Sequence, residues 1–467
     1  MANNEATVVN EAAQKKYLTF GKKLAYGSGD FGSNFFYMLI SSFMMLYLGD
    51  YIGLDLGIIG TLMMISRLLD GITDVIFGNL IDKTNSKMGK ARPWMFYSGF
   101  PLAISMILLF SIPTGMGDTA KYAYFFIIYT LANAFFYTAN NISYSSLLAF
   151  ITKNDAERVS LGSFRYIMAV AAAVVVSSIT TILVGKFGGD AAAWRTVAII
   201  YAVIVLIFNT IASLSNKELP ADEDETAAIG DDAGSTPKSG ISFGKSLKIV
   251  FSNKYYLLLL MVYLLFYCSS GVASAVSAFY FTYVIGNASL MGVVSMSSFV
   301  MIVGLIINPM LVKRFGMYKV NLGSYIICTI LAALTIPVAN AGNLTGLTAM
   351  AFIKAIAMGP LMGSLNALVA EVSRNAFLKS DCHVEGMMFS CSSIGIKVGT
   401  GIGTAVAGWL LTVGGYVSGA ASQTEGAVSM IKFCYATLPF FLTALVTVCL
   451  WRLNVEKANK ELEASKN

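Results

Sequence analysis

Charge is scarce in this sequence. Only 12% of its 467 residues are Asp, Glu, Lys or Arg, against 56% hydrophobic, and the mean hydropathy is +0.69. A soluble domain carries about 25% charged residues, so a water-soluble globule is excluded. Imidazole is nearly absent: His383 is the one histidine, in a polar break where it reads as solvated rather than catalytic. The six cysteines, Cys268, Cys328, Cys382, Cys391, Cys434 and Cys449, form no C-x-x-C pair. Neither a disulfide framework nor a zinc site is therefore expected. No nucleophile, base and acid fall together, so an enzyme is not expected, and no cofactor. A cleavable leader is not expected either, because residues 1–23 are polar, carry Lys15, Lys16, Lys22 and Lys23, and lack a short apolar core before a small-residue site.

What is present is apolar sequence in lengths that suit a bilayer, about 20 residues per helix. Runs between polar breaks predict spans near 24–50, 54–80, 94–113, 121–150, 161–186, 194–215, 254–285, 290–312, 319–338, 345–371, 387–414 and 427–451. The fold class is an all-α membrane protein of twelve transmembrane helices. With the N-terminus inside, Lys83, Lys87, Lys90, Arg92, Lys153, Arg158, Lys313, Arg314, Lys319, Arg374 and Lys379 fall in inner loops. The opposite loops hold only Lys121, Lys186, Arg195 and Lys432. That asymmetry places both termini in the cytoplasm. The net charge of +6 thus serves orientation, and nucleic acid is not expected as a partner.

The longest break, 216–250, carries the acidic run at 222–225 followed by Gly, Ser, Thr and Pro, and reads as a cytoplasmic linker. It divides the chain into an N-terminus (1–23), a six-helix half (24–215), the linker, a second half (251–452) and a tail (453–467). The break after the second span, Asp82 to Pro93, has a weaker counterpart at Lys313 to Lys319. Two pseudo-equivalent halves around a central solute are a common carrier architecture.

A charge at the bilayer centre costs about 2.5–3.5 kcal/mol on insertion scales, so Asp30, Arg67, Asp70, Asp74, Arg165, Lys354 and Lys397 each need a reason. Arg67, Asp70 and Asp74 share one face of the second span, at i, i+3 and i+7. Two carboxylates one turn apart suit a hard monovalent cation or a shared proton; the competing reading is that Arg67 neutralises them and fixes packing. The first span carries Asp30, Asn34, Tyr37 and Ser41 on one stripe, and the fourth Asn133, Tyr137, Asn140, Asn141 and Tyr144. Such stripes fit a hydroxyl-rich solute, or interhelical hydrogen bonds. Lys397 shares a face with Ser393, Thr400 and Thr404, and either balances the acids or meets solute. Arg165 is a gate residue or the partner of an inner acid. Lys354 lies nearer the outer end of its span, where it can snorkel. Gly399, Gly401 and Gly403 sit in an apolar span, and read as sites of close helix approach rather than a phosphate loop.

These residues resemble the glycoside-pentoside-hexuronide:cation symporter family. The resemblance is carried by Lys23-Leu-Ala-Tyr-Gly27-Ser-Gly29-Asp30-Phe-Gly-Ser-Asn34, Arg67-Leu-Leu-Asp70-Gly-Ile-Thr-Asp74, and Asp82-Lys-Thr-Asn-Ser-Lys-Met-Gly89-Lys-Ala-Arg92-Pro93. Tyr137 to Leu147, Glu157-Arg158 with Arg165, and Val384-Glu385-Gly386 followed by Lys397 complete it, in order over nearly the whole chain. It implies a major facilitator fold that moves a sugar with Na+, Li+ or H+ through a multi-pass protein of the cytoplasmic membrane, a monomer sufficing. The cation site it implies is Asp70 and Asp74, with Thr138 and Thr73 as neighbouring oxygens. Its sugar site implies Asp30, Asn34, Tyr37, Tyr137, Asn141, Tyr144, Arg165 and Lys397, with Arg67, Asp82, Arg92, Arg158 and Glu371 in gating or packing. The melibiose-carrying branch has aspartates where Asn34 and Asn141 stand, and Asp30 restores a carboxylate one turn earlier, as in the glucuronide branch. Thr73 replaces a cation-selecting Asn and Asp74-Val75 an Asp-Pro pair, so Na+ and H+ both remain open. The inner-loop pattern of Asp, Gly and Arg appears loosely as Glu371 to His383, and no regulatory domain is expected after the last span. Readings from other classes are a proton-coupled multidrug carrier of the same fold, which needs no polar stripes, and a non-transporting sensor, which does not need Asp70 or Asp74.

Overall fold

The computed structural model describes residues 16–219, 243–380, 385–420 and 422–466. The acidic run at 222–225, Cys382 and His383 lie outside the described residues, as do the side chains of Asp82, Glu385, Cys391 and Ser393.

Among the described residues every regular element is a helix. In chain order they are α1 (Phe20–Leu46, continued by a π turn Tyr47–Tyr51), α2 (Leu56–Asp82), α3 (Arg92–Leu109), α4 (Asp118–Thr130), and α5 (Thr138–Ile151), with the π segment Leu131–Tyr137 between the last two. There follow α6 (Asp155–Lys186), α7 (Ala191–Ser215), a short α8 (Phe243–Ser252), α9 (Lys254–Tyr283), α10 (Met291–Ser295), α11 (Ser297–Phe315), α12 (Met317–Asn340) and α13 (Leu344–Ser380). The chain ends in α14 (Glu385–Val413), α15 (Glu425–Lys432), the π segment Phe433–Thr437, α16 (Leu438–Arg452) and α17 (Val455–Lys466). A helix lies at each of the twelve expected positions, and ten of the described helical stretches are long and apolar enough to cross a membrane.

Polar side chains start the helices where apolar runs begin. Asn154 accepts from the Glu157 N–H, Asp190 from Ala193, Asn253 from Tyr255 and Thr424 from Ala427. Each satisfies an amide left unbonded in a first turn. Between α11 and α12 the chain reverses at Gly316 with φ +83°, a conformation that side chains other than glycine rarely adopt.

The described chain packs as two compact units. The described residues of Met1–Tyr47 and Leu69–Asp231 form one, those of Leu48–Leu68 and Asp232–Asn467 the other. The first differs from the half expected at 24–215 because Leu48–Leu68 packs with the later residues. Its fastenings are the Gly57 N–H on the Thr412 hydroxyl at 3.0 Å and the Trp409 indole on Thr61 at 2.9 Å.

Within the first unit α1 packs on α6 and α7, and α3 on α7. Within the second α9 packs on α14 and α16, and α12 on α16, so the same neighbour pattern repeats in each. The cores are Tyr26, Met95, Tyr144, Leu147 and Leu161 in one, and Tyr256, Tyr263, Leu361, Leu365 and Val446 in the other. One carboxylate device also recurs. Glu218, after α7, accepts the N–H groups of Lys90, Ala91 and Arg92 at 2.7–2.9 Å at the start of α3. Glu456, after α16, accepts those of Met317 and Tyr318 at 3.2 and 3.0 Å at the start of α12. An anion at a helix N-terminus meets unbonded donors and the positive end of the dipole.

The glycines of α14 pack as backbone does. A Cβ at Gly399 would lie 2.7 Å from the Leu264 carbonyl, and one at Gly403 would lie 2.9 Å from the Val272 nitrogen, so α9 and α14 approach closely.

Candidate solute and cation site

The first unit holds most of the residues expected to meet solute. Asp30 lies midway along α1, and the Arg165 guanidinium of α6 donates to it through Nε at 2.6 Å and Nη2 at 3.5 Å. Both side chains stay partly open, at 14% and 21% exposure, so the pair can still meet a small molecule. Arg165 is held from two further sides. It donates to the Ser145 hydroxyl at 3.4 Å, and its guanidinium carbon sits 4.3 Å from the Tyr144 ring centroid. Tyr144 is itself fixed: its hydroxyl donates to the Tyr26 carbonyl at 2.6 Å and the Tyr26 hydroxyl returns to the Tyr144 carbonyl at 2.9 Å. Tyr144 is fully buried, so its place is to seat Arg165 rather than to offer a free face. The Asn34 amide donates to the Asp30 carbonyl at 2.8 Å, within α1. Two turns beyond Asp30 on the same stripe Tyr37 stacks on Tyr137 with centroids 6.2 Å apart, and its buried neighbour Phe36 stacks on the same ring at 5.4 Å. Asn141, one turn after Tyr137, is half-buried on α5.

The π segment Leu131–Tyr137 interrupts the fourth span immediately before Thr138. Such segments are common at functional sites because they re-aim the following side chain. Here Thr138 donates to the carboxylate of Asp70, which is only 4% exposed, and sits 3.0 Å from the Asn133 carbonyl. Thr73 donates to the Asp70 carbonyl at 3.0 Å. Asp74 is half-buried one turn further along α2. The structure thus joins Asp70 to Thr138 and Asp30 to Arg165. The donor set around Asp70, a carboxylate with hydroxyl and carbonyl oxygens, suits a hard cation.

Other expected residues hold the framework. Asn140 donates to Met95 O at 2.9 Å, Ser98 Oγ at 3.0 Å and Asn209 Oδ1 at 2.9 Å, a buried network tying α5 to α3 and α7. Of the two readings of the fourth-span amides, Asn140 takes the packing one. Arg92 donates to the Ser213, Met88 and Leu214 carbonyls, closing the end of α7. Arg158 donates to Thr152 O at 3.1 Å. Its neighbour Glu157 accepts the Tyr17 and Leu18 N–H groups at 3.2 and 3.1 Å and the Thr152 hydroxyl at 2.7 Å, with the Lys23 ammonium at 3.7 Å. Burial pushes the Glu157 carboxyl up, but the Thr152 hydroxyl, the two N–H groups and Lys23 outweigh it and hold it below the usual carboxylate range. In the second unit, Glu371 accepts the Asn459 amide at 2.8 Å and so pins α17 to α13. Arg67 and Lys397 are half-buried on α2 and α14.

Two features escaped the sequence. Asp50, in the π turn closing α1, accepts from the hydroxyls of Tyr283 at 2.6 Å and of Tyr416. It stands at the end of an apolar run, and no local signal pairs it with residues 233 and 366 places away. Lys354, expected to snorkel, instead lines a cavity of about 370 Å³ inside the second unit. Leu347, Ala351, Lys354 and Met358 lie on one face of α13, and that face lines the cavity.

Residues 25–457 match the family described as MFS/sugar transport protein. Among similar proteins, the isoprimeverose transporter of Lactiplantibacillus pentosus is 27% identical, over 98% of this chain and 94% of its own. The putative glycoside/cation symporter YagG of Escherichia coli is 26% identical over 95% of each. The glucuronide carrier protein homolog of that organism is 25% identical, over 92% and 91%. In fold, the nucleoside transporter NupG superposes with a TM-score of 0.62 at 13% identity, over 92% of this chain and 98% of its own. A proton-dependent oligopeptide transporter does so with a TM-score of 0.63 at 14% identity, over 96% and 100%. The common architecture is that of major facilitator carriers.

Proposed function

Because the chain belongs to the MFS/sugar transport protein family, in its glycoside-pentoside-hexuronide:cation symporter group, we propose that it imports a sugar together with Na+ or H+ by alternating access. The protein is a multi-pass membrane transporter and not an enzyme. The observation that supports the coupling is the buried Asp70 carboxylate bonded by Thr138: a carboxylate with hydroxyl and carbonyl oxygens beside it inside a membrane helix is a donor set that a hard cation or a proton can use. In this reading Asp70 and Asp74 take the cation, with Thr138 and Thr73 supplying oxygens. Asp30, Arg165 and Asn141 bond sugar hydroxyls, while the Tyr37 and Tyr137 rings cover the C–H side of the ring. Support for a sugar comes from relatives that carry isoprimeverose or are named glycoside/cation symporters.

Cation binding lowers the free energy of the sugar-competent state, and both solutes leave after the halves rock. One positive charge moving through about 100 mV yields about 2.3 kcal/mol. At 1.4 kcal/mol per tenfold, that sustains roughly 50-fold accumulation of a neutral sugar. The protein acts in the cytoplasmic membrane, with both termini inside, and one copy suffices.

The test is uptake of a labelled panel of glycosides, pentosides and hexuronides into proteoliposomes, with Na+ and pH gradients imposed separately. One gradient should drive accumulation of at least one sugar. Uptake indifferent to both gradients defeats the symport reading.

A further inference from the structure

Two ammonium groups converge on one ring in the second unit, where α9 begins and α13 ends. Lys254 Nζ lies 4.9 Å and Lys379 Nζ 5.5 Å from the ring centroid of the buried Tyr255. Both lysines are exposed, and their charges repel one another. Among the described residues neither pairs with a carboxylate. The described acids of α13 and α17 are engaged elsewhere: Glu371 with Asn459, Glu456 with the first amides of α12, Glu461 with Lys457 and Glu463 with Arg374. Lys379, in the last turn of α13, suits the negative end of that helix dipole, whereas Lys254, at the start of α9, adds to a positive end.

The convergence is built from below. Asn253 donates to Asn375 Oδ1 at 3.3 Å and Asn375 to Asn459 Oδ1 at 2.8 Å, and all three amides are buried. Lys254 follows Asn253 directly and Lys379 stands one turn beyond Asn375, so this chain of amides sets the spacing of the two ammonium groups. Beyond Lys254 the same face of α9 carries Leu257 and Met261, at i+3 and i+7, both exposed. A positive head thus tops an apolar track on a membrane-spanning helix.

We propose that Lys254 and Lys379 hold the phosphate of an anionic phospholipid, whose acyl chain runs along Leu257 and Met261. The phosphate accepts from both ammonium groups and relieves their repulsion, and such charge-assisted bonds are about twice as strong as neutral ones. A zwitterionic headgroup brings a third cation to the same place, so a net negative headgroup is preferred. The site is independent of which solute the protein carries.

The experiment is native mass spectrometry of the purified full-length chain in detergent, titrated with phosphatidylglycerol or with phosphatidylcholine of the same acyl chains. Phosphatidylglycerol should bind about tenfold or more tighter. One lysine at an anionic lipid surface is worth about fivefold, so K254Q and K379Q should each weaken the first phosphatidylglycerol by that factor, and the double variant should bring it close to phosphatidylcholine. K313Q removes the same charge from an exposed position on α11 and should change neither constant. On the wild-type chain, amide hydrogen exchange at residues 250–256 should slow with phosphatidylglycerol and not with phosphatidylcholine. Equal affinity for the two lipids, constants unchanged in K254Q and K379Q, or a loss in K313Q as large as theirs overturns the proposal. So does displacement of phosphatidylglycerol by millimolar inorganic phosphate, which would assign the site to a soluble anion. The exchange comparison on the wild-type chain stands even where a variant fails to fold.

Discussion

The Asp30 carboxylate and the Arg165 guanidinium, 135 residues apart in the chain, meet at 2.6 Å with the Tyr144 ring beneath the arginine. Breaking a buried ion pair from one side costs about 3–5 kcal/mol, because it strands the other charge. The residual exposure of both side chains makes that an upper bound here. D30N and R165Q should each lower the melting temperature and abolish sugar uptake. The double variant D30N/R165Q should regain most of the stability but none of the uptake. Recovery of transport in the double variant would assign the pair to packing alone.

At the cation site, the Thr138 hydroxyl donates to the buried Asp70 carboxylate. T138V keeps the shape and removes the oxygen. A hydrogen bond to a charged group is worth about 1.5–3 kcal/mol, so with Na+ the concentration for half-maximal uptake should rise about tenfold or more as an oxygen ligand is lost, and with H+ it should fall by a similar factor because the unbonded carboxylate takes the proton more readily, with T138S close to wild type in both. D70N should remove gradient dependence altogether. An unchanged cation dependence in T138V sinks the assignment.

How much of this was legible beforehand follows from what periodicity carries. Apolar runs placed a helix at every expected span, because bilayer thickness sets their length. They miss the ends: α13 runs to Ser380 where the apolar run stops near 371, since its last turns are polar but still packed, with Asn375 bonded to Asn253 and Asn459. The π segments before Thr138 and around Tyr435 have no hydropathy signature. Asp30 and Arg165 are each charges needing a reason in the sequence, and Arg165 reads as a gate residue or the partner of an inner acid, but nothing in the sequence singles out Asp30 as that acid. Lys354 shows the same limit. The sequence puts it nearer the outer end of its span, where it can snorkel, and the face it shares with Ala351 and Met358 becomes informative only where α9, α11 and α12 enclose it.

Asp50 makes a third prediction. Its two tyrosine hydroxyls, the Ser418 hydroxyl on the Leu54 carbonyl at 2.9 Å and the Thr412 hydroxyl on Asp55 at 3.2 Å fasten residues 48–68 within the second unit. Removing one hydrogen bond to a charged group should speed local opening by about tenfold. Hydrogen exchange at residues 48–55 should rise by that factor in D50N and Y416F, while the core of α9 exchanges as before. Exchange unchanged in both variants would show that the cluster does not fasten this segment.

Glu157 gives the pH dependence. Its carboxyl is held below the usual range, so the unfolded chain takes up the proton first as pH falls. The stabilisation is then complete above the ordinary glutamate value of about 4.3 and is lost as pH drops through the lower folded value. The physical loss is that of four partners at once: a protonated carboxyl accepts poorly from the Tyr17 and Leu18 N–H groups and the Thr152 hydroxyl, and no longer attracts Lys23. E157Q should therefore melt several degrees below wild type at neutral pH, about 1–3 kcal/mol for a buried, multiply bonded charge. The gap between the two should stay constant down to the ordinary carboxyl range and close below it. A gap that persists unchanged into strong acid would mean that Glu157 stabilises this end of α6 by shape, and that its charge contributes nothing.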